Sequence, residues 1–430
     1  MAETTTSTTV VILCGGRGTR FRPLSFRVPK PLFPIANAPV IDHSLRSLPT
    51  SGVKAVFLVG FYGGSEYETQ FAHYADDLQS RLNVPVKYLR EPVEAGTAAG
   101  LAHFAQDILA PNSDAILVAN SDVAGALPLV DMLKAHADAQ AGGVELTLLA
   151  TTVPEADATK YGCMVVDGVE VGAGGVGKVA HYAEKPEVFV SNTVSCGVYV
   201  FSRAGFQNIT DAVASAAAGG DGEGGSSGGR SAAAKAARLA AAARQPVGLE
   251  VDVIVPMVAK DAVQALVTHA HWAPVKTPSA ALDANAYYLG SEALAGKLLV
   301  DADVPFTVVG NVCAADLASA TIHADAVIGP NVALAAGVTI GAGARVRDAI
   351  VLEGAVVADS AFVKHAIVGW NAIVGEWARV EGDPAHAADA DMSATILGDG
   401  VEIKPETVVR NCVVLPHKVL KADMFDRVIL

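Results

Sequence analysis

The chain has 430 residues, room for two or three domains, and its 51% hydrophobic against 18% charged content excludes a wholly disordered chain. Lys and Arg total 31 against 45 Asp and Glu, so the formal net charge is −14. So acidic a surface argues against nucleic acid as the main partner.

The stretch Met1–Thr9 lacks the basic and apolar parts of a secretory signal. Val10–Leu13, Val53–Val59, Ala115–Ala119 and Leu146–Thr151 are short apolar runs of the kind that form buried parallel strands. Amphipathic stretches at Ser65–Arg81 and Ala98–Leu109 lie between them. Strand and helix alternating over about 150 residues predict a doubly wound, Rossmann-like α/β domain, with ligands at the carboxyl ends of the strands. We set its bounds at 9–300. A low-complexity Ala/Gly/Ser/Arg insertion at about 214–244 follows the strand-like Gly197–Phe201, and Leu249–Val258 resumes a packable pattern.

In the C-terminal third, Ile322, Ile328, Leu334, Ile340, Val346 and Leu352 are spaced by six. After a phase slip the spacing returns at Val368, Val374 and Val380, and again at Leu397, Ile403, Val409 and Leu415. Aliphatic residues every six positions among small neighbours predict a left-handed parallel β-helix of hexapeptide repeats over 310–430. The uncharged window Ala326–Ala344 belongs to this pattern. Gly329, Pro330, Gly337, Gly341 and Gly343 make it unlike a spanning helix. The protein is therefore expected to be cytoplasmic, without a membrane or nucleic-acid partner, and to form oligomers.

Cysteines 14, 163, 196, 313 and 412 are scattered, a spacing that excludes a structural zinc site and suits a reducing compartment. The chemistry-bearing signal follows the first strand: Gly15, Gly16 and Gly18, then Thr19, Arg20 and, within Val-Pro-Lys-Pro-Leu, Lys30. Glycines there let the backbone approach a phosphate closely, while Arg20 and Lys30 supply cations for charge developing at phosphorus. The spacing is neither that of a Walker A loop nor of a GxGxxG fingerprint. Asp122 follows the third apolar run, Ala115–Ala119, and suits either a metal ligand or a helix N-cap. Trp370 and Trp377, near the phase slip, read as packing residues at a coil corner.

These residues reach a known pattern. Gly15-Gly-x-Gly-Thr-Arg20-x-Arg-Pro-Leu with Pro29-Lys-Pro-Leu resembles the signature of the sugar-1-phosphate nucleotidyltransferases. Glu94–Gly100, Asn120–Val123, Tyr161–Cys163, Glu184–Pro186 and Ser195–Tyr199 agree with it, and the resemblance spans almost the whole chain. Thr19–Phe26, Ile367–Trp370, Trp377–Gly382 and Val414–Lys418 are similar to strings of the eukaryotic alpha-type mannose-1-phosphate guanylyltransferases.

The resemblance implies transfer of GMP from GTP to mannose 1-phosphate, giving GDP-mannose and pyrophosphate with Mg²⁺ as cofactor. Arg20 and Lys30 would be catalytic. Gly15, Gly16, Gly18, Thr19, Gly96 and Thr97 would meet the nucleotide, and Asp122 would ligate the metal. Gly162, Glu184, Lys185 and Gly197 would hold the sugar phosphate. Two departures favour an alternative, a regulatory alpha subunit that binds GDP-mannose and controls a catalytic beta subunit. Pro274 stands where beta-type members carry a second metal-ligating Asp, and Ser195 stands where the family usually has Asn. The partner is accordingly a second copy or a beta subunit.

Overall fold

The computed structural model describes all residues except 1–5, 17, 50, 171, 173, 219–245, 292–297, 300–302 and 386–391. Most of the low-complexity insertion, 219–245, thus lies outside the described residues. The chain divides into two compact units. The first comprises Met1–Arg17 with Ser44–Trp272, the second Gly18–His43 with Ala273–Leu430.

The first unit is built on nine strands: β1 (Thr8–Leu13), β2 (Val53–Gly60), β3 (Val86–Arg90), β4 (Ala115–Asn120), β5 (Leu146–Thr152), β6 (Gly162–Asp167), β7 (Gly175–Glu184), β8 (Thr193–Ser202) and β9 (Val263–Thr268). Their order across the sheet is 3-2-1-4-8-5-9-7-6. β1 runs parallel to β2 and β4, which is why its six residues are buried on both sides. The sheet is mixed beyond that: β8 inserts antiparallel between β4 and β5, and β7 runs antiparallel to β9 and β6. Helix α1 (Ser65–Leu82) ends on Asn83, whose left-handed backbone (φ 54°) stops the helix while its N–H reaches Gln79. Helices α2 (Thr97–His103), α3 (Leu129–Gln140) and α4 (Arg203–Ala218) complete this unit's principal helices. Its core joins Val11, Val118, Leu148, Tyr199, Phe201 and Phe206 with Leu101 and Ile254 from the helical layers.

In the second unit α5 (Pro278–Leu289) starts on a Thr277 cap, whose hydroxyl accepts from the Ala280 N–H at 3.3 Å, with Pro278 in the first turn. From 307 onward the chain winds as a parallel β-helix with three columns of stacked strands. One column stacks Ile328, Val346, Val363, Val380 and Val409. A second stacks Ile322, Ile340, Val357, Val374, Ile403 and Leu420. The third stacks Leu334, Val351 and Val368, then Leu397 and Val414. The window Ala326–Ala344 forms three of these strands, and no helix among the described residues is long and apolar enough to cross a membrane.

The hexad pattern needs one correction. Ile328 and Val346 are 18 residues apart, but Val346, Val363 and Val380 follow at 17. The lost residue is at one corner, where Asp348, His365 and Asn411 take left-handed backbone (φ 47°, 46° and 51°) and turn the chain in five residues. Hence Val351 and Val414, not Leu352 and Leu415, fill the interior column. Leu352 is still buried, whereas Leu415 is partly exposed.

Candidate functional site

β1 ends at Leu13, and the Cys14 N–H still bonds the Val59 carbonyl of β2 at 2.6 Å. A side chain on Gly60 would meet the Cys14 carbonyl at 2.8 Å, so the two strand ends are pressed together there. Gly15 and Gly16 then emerge into open space, with Gly16 at φ 96°, a conformation that favours glycine. Their amides are exposed at the carboxyl end of the parallel strands. Beside them stands Glu91, just past β3. Burial first, and the charge of Glu94 second, push its carboxyl up to about 7. Glu91 also adds to the burial that raises the Cys14 thiol.

Gly96 and Thr97, which open α2, are held by the segment that follows the insertion. The Thr97 hydroxyl accepts from the Leu249 N–H at 3.0 Å, and the Ala98 N–H donates to the Val247 carbonyl at 3.2 Å. Gly96, at φ 93°, lies so close to Val247 that any side chain would collide with its carbonyl. These contacts fix the loop that borders Glu91.

Asn120 closes β4 in register with Leu13, and the Ser121 N–H donates to the Leu13 carbonyl at 3.2 Å. Asp122 is thereby placed at the carboxyl end of the central strands. A short strand, Val123–Gly125, follows it instead of a helix, which removes the N-cap alternative.

The remaining residues of this unit build a buried polar network. Gly162 lies opposite Glu184 in the β6–β7 ladder, and a side chain at Gly162 would fall 2.7 Å from a Glu184 carboxylate oxygen. Tyr182 donates to Glu184 Oε2 at 3.1 Å, and Lys185 Nζ reaches Glu184 Oε1 at 2.9 Å. Lys185 itself has left-handed backbone (φ 43°) and a side chain that is 62% exposed, so its ammonium faces water. Tyr199 donates to Glu250 Oε1 at 3.1 Å. The Ser195 hydroxyl stands against both tyrosines and accepts from the Gly197 N–H at 3.3 Å. β8 shifts register between Ser195 and Tyr199, and this irregularity brings Gly197 (φ 73°) against the Asn120 side chain. Trp272 Nε1 ties the same turn down by donating to the Cys196 carbonyl at 3.0 Å. Burial raises the Glu250 carboxyl and both tyrosine hydroxyls, and the nearby carboxylates add to it.

Gly18, Thr19, Arg20 and Lys30 belong to the second unit. Gly18 has left-handed backbone (φ 58°) and starts the single 3₁₀ turn Thr19–Phe21. Lys30 opens another, Lys30–Leu32. Arg20 is exposed and makes no ion pair among the described residues. Pro274, also in this unit, offers no side-chain oxygen. Among the described residues no group of three or more His, Cys, Asp or Glu is placed to hold a metal. Asp122 alone would suit an ion that takes one carboxylate and completes its shell with water and phosphate oxygens. Mg²⁺ behaves in this way.

Of the residues expected from the sequence, the fold brings Gly15, Gly16, Asp122 and Gly197 to the strand ends, and Gly162, Glu184 and Lys185 into one polar cluster. Sequence reasoning missed Glu91, Tyr182, Tyr199 and Glu250. A lone Glu in the apolar stretch Leu249–Val258 was the available signal for the last.

The mixed sheet, its glycine loop and the β-helix define a nucleotidyl transferase with a coil appended. Residues 9–288 match the nucleotidyl transferase family, and residues 308–430 match the GMPPB C-terminal domain. The chain is 36% identical to the mannose-1-phosphate guanylyltransferase regulatory subunit alpha of Xenopus tropicalis, over 98% of this chain and 99% of that one. The Dictyostelium discoideum protein of the same name is 33% identical, over 99% and 100%. The mannose-1-phosphate guanyltransferase alpha-B of Xenopus laevis is 35% identical, over 98% and 99%. The chain belongs to the nucleotidyl transferase family, in its mannose-1-phosphate guanylyltransferase branch.

Proposed function

We propose that this chain takes GTP and mannose 1-phosphate and forms GDP-mannose and pyrophosphate. The observation that carries the reading is the Gly162–Tyr182–Glu184–Lys185 cluster. It offers a fixed carboxylate to accept sugar hydroxyls and an exposed ammonium 2.9 Å from it for the sugar's phosphate. The Gly15 and Gly16 amides, with Gly18, Thr19, Gly96 and Thr97, would border the nucleotide. A phosphate oxygen of the sugar attacks the α-phosphorus of GTP in line. The bond from that phosphorus to the bridging oxygen breaks, and pyrophosphate leaves with the electron pair. Arg20 and Lys30 neutralise charge on the departing group, so catalysis is mainly positioning and electrostatics. Mg²⁺, held by Asp122 and the phosphates, would add Lewis-acid neutralisation of the same charge.

A second reading is favoured by Pro274 and by the names of the alpha relatives: a regulatory subunit that binds GDP-mannose and restrains a catalytic beta subunit. On either reading the protein works in the cytoplasm as an oligomer, with a transferase domain at 9–300 and a β-helix domain at 310–430.

The deciding experiment follows pyrophosphate release from GTP and Mg²⁺ with and without mannose 1-phosphate, beside calorimetry with GDP-mannose. Turnover that depends on mannose 1-phosphate and is lost in Asp122→Asn supports the enzyme. GDP-mannose binding without turnover supports the regulatory subunit, and neither binding nor turnover overturns both.

A further inference from the structure

The residues assigned to the phosphates of GTP, Arg20 and Lys30, are far in sequence from the β-helix yet share its compact unit. The segment Gly18–His43 has little regular structure to hold it: three 3₁₀ turns, a two-residue hairpin, Pro34–Ile35 with Ala38–Pro39, and the start of the short helix Val40–Leu45. Contacts from outside the segment therefore help set where its cations point: Asn37 Nδ2 meets Cys313 Sγ at 3.2 Å, His43 stacks on Tyr288 at 3.7 Å, and two more anchors follow. At its far end the Ala36 N–H donates to Asn285 Oδ1 at 2.9 Å, and Asn285 Nδ2 passes the contact to the Asn331 carbonyl at 3.2 Å. The second anchor lies between the two cations. Arg27 Nη1 meets Asp399 Oδ2 at 2.8 Å, and its guanidinium lies 5.4 Å over the Trp370 ring. Phe33 meets the same ring edge-on at 6.1 Å and packs on Phe21 at 5.0 Å. Phe21 directly follows Arg20, and Phe33 is three residues past Lys30.

Trp370 is itself rigid. Its carbonyl accepts from the Gly400 N–H at 2.8 Å, and Gly369 beside it has no space for a side chain. Asn371, with left-handed backbone (φ 52°), donates to the other Asp399 oxygen at 3.3 Å. A stiff coil corner thus grips a loose segment through one aromatic ring and one carboxylate.

We propose that Arg27, Trp370 and Asp399 form a positioning clamp, through which the β-helix orients Arg20 and Lys30 on the β- and γ-phosphates of the nucleotide. The clamp rests on the phosphate roles given above to Arg20 and Lys30, but it operates whether the site turns over or only binds. Its signature is selective. Loosening it weakens ligands that carry the β- and γ-phosphates and spares those that do not.

The test measures GTP and GMP affinity of the full chain by calorimetry for Arg27→Ala, Asp399→Asn, Trp370→Ala and Arg20→Ala/Lys30→Ala, with thermal unfolding alongside. We expect Arg27→Ala to lower GTP affinity about tenfold, within the range that small misplacement of binding groups produces, with GMP affinity unchanged. The charge-swapped pair Arg27→Asp/Asp399→Arg should recover part of the loss. Adding Arg27→Ala to the Arg20→Ala/Lys30→Ala background should change nothing further. Equal loss of GTP and GMP affinity, or unchanged GTP affinity in Arg27→Ala and Asp399→Asn, overturns the clamp. If Trp370→Ala does not fold, those two variants decide. If Arg20→Ala/Lys30→Ala binds GTP as the parent does, the phosphate assignment fails instead.

Discussion

Gly197 and Asn120 interlock. The register shift in β8 turns Gly197 to φ 73° and leaves the Asn120 amide in the space where a side chain at 197 would begin. Asn120 immediately precedes the Ser121–Asp122 turn, so one contact joins the strand proposed for the sugar side to the turn proposed for the metal. Gly197→Ala should cost about 1–2 kcal/mol from the positive φ and the displaced amide. It should also weaken GDP-mannose binding more than GTP binding. Urea unfolding and calorimetry on the same preparation check both, and unchanged stability would show that the turn relaxes freely.

Tyr199 and Glu250 make a second exposed weakness in a buried network. Tyr199→Phe keeps the ring but leaves Glu250 Oε1 without its 3.1 Å donor. A buried acceptor left unpaired costs about 1–3 kcal/mol, and the carboxyl, already raised by burial, should rise further. The urea midpoint of the variant should fall at pH 7.5, and the deficit should narrow by pH 5, since acid favours the protonated carboxyl that burial already favours. A variant as stable as the parent at both values would place the network's strength elsewhere.

His136 gives the first unit an acid limit. It is fully buried on α3, its Nδ1 is 2.8 Å from the Thr147 hydroxyl, and Nε2 has no partner among the described residues. Burial lowers it to about 4 from an ordinary value of 6.5. The unfolded chain therefore binds the proton more tightly than the folded one. This contribution to stability is complete above about pH 6.5, falls as pH drops toward 4, and amounts to about 3 kcal/mol over that window. His136→Gln should flatten the slope of urea stability between pH 6.5 and 4. A parallel slope in parent and variant would refute the assignment.

Ile340 and Thr339 are neighbours on one β-helix strand, one inward and 1% exposed, the other half-exposed. Ile340→Asp should lose 4 kcal/mol or more, on the order expected for an unpaired buried charge. Thr339→Asp should stay within about 1 kcal/mol of the parent. Circular dichroism melts of the two variants separate the faces, and equal effects would contradict the inward column.

The apolar runs located β1, β2, β4 and β5 in the sequence because a strand buried on both faces has to be apolar throughout. The antiparallel insertion of β8 was not legible, since strand order depends on contacts among residues far apart in the chain. The hexads revealed the coil, but the five-residue corners hid in it. Asp348, His365 and Asn411 look like ordinary polar residues until their left-handed backbone is seen. Motif residues such as Gly15, Gly162, Glu184 and Asp122 could be named from local strings. Glu91 and Glu250 could not, because what marks them is burial beside other acids, which only the folded chain creates.

The chain leaves the first unit after its opening loop, contributes Gly18–His43 to the second, and returns at Ser44. During synthesis, that early segment therefore emerges from the ribosome long before Asn285, Trp370 and Asp399 exist. For most of translation it has no surface to settle on, and the nascent protein must carry it exposed, with Phe21, Leu24 and Phe33 still in water. A product truncated near residue 300 would lack Trp370 and Asp399 and so keep this apolar cluster without its cover.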